Sequence, residues 1–120
     1  MPSRDVAAEL GHFTERLGAE PIFAIEAFDT RVAMFALGDG PPALLLAEHL
    51  EGERPVLVFR VGDLEAAIAD LEARGLRPGP RFGIPHGPGC SIEVPGGHRL
   101  AIYERTRPEA DAHLAGRRDF

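Results

Sequence analysis

Asp5-Val6-Ala7-Ala8-Glu9-Leu10, running on to Arg16, returns as Asp63-Leu64-Glu65-Ala66-Ala67-Ile68, running on to Arg74, at an offset of 58 residues. Asp5/Asp63, Ala8/Ala66 and Arg16/Arg74 are identical, and Val6/Leu64, Leu10/Ile68 and Phe13/Leu71 keep their apolar character. With one residue of slippage Gly18 matches Gly75 and Pro21 matches Pro78. A repeat this long exceeds one supersecondary element and points to two copies of a small module. The copies are unequal. Val56-Leu57-Val58-Phe59-Arg60-Val61, a strand-like run, precedes Asp63, whereas only Met1-Pro2-Ser3-Arg4 precede Asp5. The first module is therefore expected to lack its opening strand.

Each copy opens with a helix. Asp5 and Asp63 suit N-caps, and Glu65 favours the positive helix end. Val6, Leu10, Phe13 and Leu17 recur at helical spacing, as do Leu64, Ile68 and Leu71. Gly18 and Gly75 are helix stops. Three extended stretches follow the first helix, Ile22–Phe28, Arg31–Leu37 and Ala43–Ala47, divided by Asp29-Thr30 and Gly38-Asp39-Gly40-Pro41-Pro42. The acidic stretch from Glu48 to Arg54 reads as a linker. The second copy gives a strand at Val56–Val61, a helix at Leu64–Arg74 and a less regular stretch around Arg77–Phe82. Strands follow at Cys90–Val94 and Arg99–Glu104, joined by Pro95-Gly96-Gly97. A short helix at Pro108–Leu114 opens on proline. The expected organisation is one domain over residues 1–120: module one at 1–47, linker 48–54, module two at 55–105 and a tail at 106–120.

Composition narrows the functional classes. A chain of 120 residues with 44% hydrophobic and 27% charged content can bury a core of its own. The net charge of −6 argues against a nucleic-acid partner, which would require a basic stripe. Cys90 is the one cysteine and forms no internal disulfide. No apolar run reaches transmembrane length and no secretory leader pattern opens the chain, so no membrane association and a cytoplasmic location are expected.

Strand-helix-strand-strand-strand in the second module, and the same minus its opening strand in the first, resembles the vicinal oxygen chelate superfamily: glyoxalase I, bleomycin-resistance proteins and extradiol dioxygenases. His12-Phe13-Thr14-Glu15-Arg16-Leu17-Gly18 is similar to the family's Phe-Tyr-x-x-x-Leu-Gly helix end. Phe59-Arg60-Val61-Gly62-Asp63-Leu64 is similar to its Phe-x-Val-x-Asp-Leu strand-to-helix entry, and Val94-Pro95-Gly96-Gly97-His98 stands where Asp-Pro-x-Gly-Asn is frequent. The resemblance implies an α+β fold of two pseudo-repeated βαβββ modules, each half of an open barrel with its helix outside. Alternation then places Leu57, Phe59, Leu100 and Ile102 against the helix, and Val56, Val58, Arg60, Ala101 and Tyr103 on the ligand side.

The catalytic branches of that family hold a divalent metal with His, Glu or Gln on inward strand positions. Here those positions fall at Val56, Ala101 and near Leu45, and the remaining one on the strand that is missing. The expectation is accordingly no cofactor, no metal ligands and a small organic molecule bound without chemistry. The alternative is an enzyme, with a metal on unorthodox ligands such as His86 and His49, or with His86 as a general base. His86 lies in Ile84-Pro85-His86-Gly87-Pro88-Gly89, a stiff loop able to fold over a cavity mouth. Arg60 interrupts an apolar strand. It either grips an anionic ligand, pairs with Glu26 or Glu93, or reaches the rim. Tyr103 offers a cavity hydroxyl or packs in the core. A module without its first strand exposes a sheet edge, so a homodimer is expected, with the tail from Arg107 to Phe120 as one covering element. The competing arrangement folds Met1–Arg4 and the tail onto their own chain.

Overall fold

The computed structural model describes residues 1–120 and is mixed α+β. In chain order its elements are α1 (Val6–Leu17), β1 (Glu20–Ala27), β2 (Thr30–Ala36), β3 (Ala43–Ala47), β4 (Leu57–Val61) and α2 (Leu64–Ala73). There follow β5 (Pro78–Ile84), β6 (Gly87–Glu93), β7 (Arg99–Glu104) and α3 (Ala110–Leu114). The chain forms two compact units, Met1–Glu53 with His113–Phe120, and Arg54–Ala112.

In the first unit α1 packs on the antiparallel sheet β1-β2-β3. Asp5 caps the helix through the Ala8 N–H at 3.0 Å, and Gly18 ends it in the left-handed region at φ 65°. Val6 and Leu10 bury against Ala24, Ala33, Phe35 and Leu46, with the Phe13 and Phe35 rings 4.7 Å apart. The outer edge of β3 is closed from within the chain. Pro2 bridges Ala47 in parallel, Ser3 N–H donates to the Ala47 carbonyl, and Ala47 N–H donates to that of Met1. A one-bridge rudiment thus stands where a full opening strand was expected to be absent. The tail takes the opposite edge: Ala24 bridges Arg118, Asp119 N–H donates to the Ala24 carbonyl, and the Phe120 ring joins the core. The expected open edge is therefore met by the N-terminus of the same chain, and the tail lies on the edge opposite to it. The unpaired strand edges offered backbone donors and acceptors that short terminal segments could satisfy locally.

The second unit sets α2 on a four-stranded sheet in the order β4-β7-β6-β5, with β4 parallel to β7 and the other pairs antiparallel. Asp63 caps α2 through the Ala66 N–H at 3.0 Å. Leu64 and Ile68 bury against Cys90 and Ile102. The stretch read as irregular is strand β5. Its Pro78, Gly79, Pro80 and Gly83 disguise it, but an edge strand tolerates prolines because half its amides face away from the ladder. Ile84-Pro85-His86-Gly87 is not a cavity loop: Ile84 pairs with Gly87, and Pro85-His86 form a two-residue hairpin turn.

A second pair of carboxylates extends the pseudo-symmetry. Glu104, at the end of β7, accepts the Leu64 N–H at 2.7 Å, and Glu48, just past β3, accepts the Arg31 N–H at 3.0 Å and lies 3.5 Å from the Val6 nitrogen. Each acid serves the free amides at the start of its unit's helix, where negative charge is favoured. Glu48 is thus part of the first unit's framework rather than of a linker.

Candidate functional site

The sheet of the second unit has two chemically distinct faces. On the helix side Ile102 and Cys90 meet α2, and Arg81 forms a two-pronged ion pair with Glu65 of α2 at 2.5 and 3.0 Å. The guanidinium hydrogen bond draws the Glu65 carboxyl below its ordinary range and raises Arg81. Cross-strand register places Leu57, Phe59 and Leu100 on this side too, although Leu57 and Phe59 lie beyond the cover of α2 and remain 56% and 55% exposed.

The opposite face is read from the same register. Arg60 of β4 stands beside Tyr103 of β7, Tyr103 beside Gly89 of β6, and Gly89 beside Phe82 of β5. These four form one continuous row across the sheet. A Cβ on Gly89 would lie 2.3 Å from the Phe82 ring, so the missing side chain lets that ring lean over the glycine towards Tyr103. The adjoining row is Val58, Ala101 and Ser91, with Ala101 only 1% exposed. Beyond it Val56 borders an open depression of about 410 Å³ with Ser91, Glu93, His98 and Arg99.

Arg60 is the electrostatic centre of this face. Its guanidinium makes no hydrogen bond or ion pair, and neither partner weighed for it is taken up. Glu26 is engaged by Arg31 at 2.9 Å, and Glu93 bonds nothing. The Tyr103 and Ser91 hydroxyls are also without protein partners. Val58, Arg60, Ala101 and Tyr103 thus share one side of the sheet, Phe82, Gly89 and Ser91 join them, and Val56 lies just before the first residue of β4. Only the hidden strand character of β5 kept Phe82 from being read out of the sequence.

His86 does not join this row. Its Nε2 lies 2.8 Å from an Asp111 carboxylate oxygen, whose other oxygen pairs with Arg105. Thr106 and Arg107 N–H groups both donate to the His86 carbonyl, and Arg107 clasps the Pro85 and Ile84 carbonyls with its guanidinium. The hydrogen bond from His86 holds the Asp111 carboxyl below the usual carboxylate range, outweighing the opposing effect of burial, with the charge of Arg105 acting in the same direction. This is a latch between hairpin and α3, made through Nε2 of the ring.

The corresponding face of the first unit is apolar over its centre, carrying Phe23, Ile25, Val32, Met34, Leu45 and Ala47. Phe23 and Ala47 are buried yet stand outside the helix-side core.

Divalent-metal chemistry requires convergent oxygen, nitrogen or sulfur donors. Val56, Leu45 and Ala101 supply none, Glu48 and Glu104 serve the helix starts, and His49 lies 3.4 Å from the Thr30 hydroxyl. No three His, Cys, Asp or Glu side chains are grouped to hold an ion. The residues present do not fit the metal site of the family that the sequence resembles.

No family model matches the chain, and no curated protein matches it. Solved structures do. Methylmalonyl-CoA epimerase from Mycobacterium tuberculosis superposes with a TM-score of 0.72 over 91% of this chain and 86% of that one, at 19% identity. TnmS3, an antibiotic-binding protein from Streptomyces sp. CB03234, matches at a TM-score of 0.40 and 19% identity, covering 88% of this chain and 91% of its own. FosX, a fosfomycin-resistance protein from Listeria monocytogenes complexed with Mn(II) and sulfate, matches at 0.41 and 12% identity, covering 94% and 90%. The first of these carries the likeness, which is one of fold.

Proposed function

From a chain with the vicinal oxygen chelate fold, we propose that this protein is a metal-independent binder of small organic molecules. The observation that carries the reading is the aliphatic character of the positions where the family resemblance would put metal ligands. Val56 and Ala101 in the second unit and Leu45 in the first are aliphatic. Fold alone does not choose between binding and catalysis, so the choice rests on these residues. The binding surface comprises Val56, Val58, Arg60, Ala101 and Tyr103, extended by Phe82 and Ser91. An apolar floor with a few separated polar groups is the usual composition of a small-molecule site.

His86 is assigned to the hairpin latch, because it sits in the β5–β6 turn outside the row that runs from Arg60 to Phe82, with Nε2 on Asp111. Metal analysis of the purified protein tests the reading. Content far below one ion per chain is expected, while near-stoichiometric zinc, nickel, manganese or iron would overturn it.

Self-association belongs to the same proposal. β4 is a sheet edge carrying three consecutive exposed apolar side chains, Leu57, Val58 and Phe59. An edge of that kind invites pairing with another chain. A homodimer formed there should show as a doubled mass in light scattering at micromolar concentration and should revert to monomer in Phe59→Lys. A monomeric wild type would remove this part.

A further inference from the structure

We infer that the ligand of this face is a planar organic acid, with its anionic group on Arg60 and its ring towards Phe82. The inference rests on the small-molecule reading above and narrows it to a chemical class. Arg60 stands in mid-strand on a face shared with Val58, Ala101 and Tyr103, and its charge is unanswered by any protein group. The neighbouring carboxylates are accounted for. Glu104 is turned to the start of α2, and Glu93, the one acid on this face, is the cross-strand neighbour of Arg99 at the far end of the sheet. A guanidinium presents paired N–H donors in a plane, the geometry that takes a carboxylate two-pronged.

The other end of the row is aromatic. Phe82 leans over Gly89, so its ring lies about two strand spacings from β4, on the order of 10 Å from the Arg60 backbone. Tyr103 stands between the two with a free hydroxyl. Ala101 in the next row is small and 1% exposed, so it adds no protruding bulk beside the row. A cation for an anionic group at one end and a ring at the other match a bicyclic aryl carboxylate in length and polarity. A neutral apolar molecule would gain nothing from the guanidinium, which is exposed to water. A polar anion such as phosphate would gain nothing from Phe82.

The test titrates the full-length protein with 2-naphthoate and, separately, with neutral 2-naphthol, following backbone amide shifts by NMR. The wild type should bind naphthoate at least tenfold tighter than naphthol, with shifts at Val58, Ala101, Tyr103 and Gly89. Arg60→Gln should weaken naphthoate by about tenfold to a hundredfold, the loss of a charged hydrogen bond, and leave naphthol unchanged. Gly89→Ala, which displaces the Phe82 ring, should weaken both probes. Arg60 is exposed, so its variant should fold, and an unaltered amide spectrum away from β4 verifies that. Equal binding of both probes in wild type and Arg60→Gln would sink the acid assignment and leave the small-molecule reading standing. Absence of shifts on this face with either probe up to millimolar concentration would overturn both.

Discussion

Replacing Glu104 with alanine removes the carboxylate that accepts the Leu64 N–H at 2.7 Å, at the first residue of α2. A hydrogen bond to a charged group contributes about 1.5–3 kcal/mol. Favourable charge at a helix start adds about 0.3–1 kcal/mol. Glu104 is half-buried, so water partly replaces it in the variant, and the net loss should be about 2 kcal/mol. Glu104→Gln keeps an acceptor and gives up the charge, and should cost about 1 kcal/mol. Glu109→Ala serves as the control, since Glu109 is exposed and its side chain bonds nothing. Urea unfolding at pH 7, followed by far-ultraviolet circular dichroism, reads all three. The order Ala, then Gln, then control is expected. A Glu104→Ala variant within about 0.5 kcal/mol of the control, the scatter of ordinary surface changes, would refute the assignment of Glu104 to the helix start.

Three further outcomes follow from the geometry. Phe28 is fully solvent-exposed at the β1–β2 turn, and with Asp29 it adopts positive φ, 53° and 57°; Phe28→Asn relieves that strain and should raise stability by about 1 kcal/mol in thermal unfolding, whereas a loss would mean the ring has a partner. The Asp111 carboxyl is depressed below its unfolded range. Its contribution is therefore complete above about pH 4, the unfolded carboxylate value, and is lost as pH falls through the lower folded value. Asp111→Asn should be less stable than wild type at pH 6, with the gap closing under acid. A gap that does not change with pH would contradict the latch. Deleting residues 115–120 removes Phe120 from the first unit's core and three backbone hydrogen bonds to β1, and should cost about 2–4 kcal/mol by burial and hydrogen bonding together; unchanged stability would free the tail from β1.

What could be read from the sequence was what repeats locally. Asp5 and Asp63 sit one residue before helices of the same apolar spacing, and their side chains do cap them. Alternation along β4 and β7 put Ile102 on the helix side and Arg60 and Tyr103 on the other. What escaped depends on groups far apart in the chain. Glu104 and Leu64 are 40 residues apart, and no local pattern announces that one serves the other. β5 was obscured because prolines weigh against strands in general but not on an edge whose amides need no partner. Met1–Ser3 and the tail carry no strand signature, and they pair only because β3 and β1 leave open edges beside them. His86 looked free in a glycine-rich segment, and only the placement of Asp111 shows the ring to be engaged.

The central claim is that the face carrying Val58, Ala101 and Tyr103 binds small organic molecules without a metal. The most direct measurement is an NMR titration of the chelator-treated protein with 2-naphthol, repeated after one equivalent of Zn(II) is added. The account predicts saturable shifts at those three amides, with the same dissociation constant in both titrations. Binding that appears only after the metal is restored would contradict it.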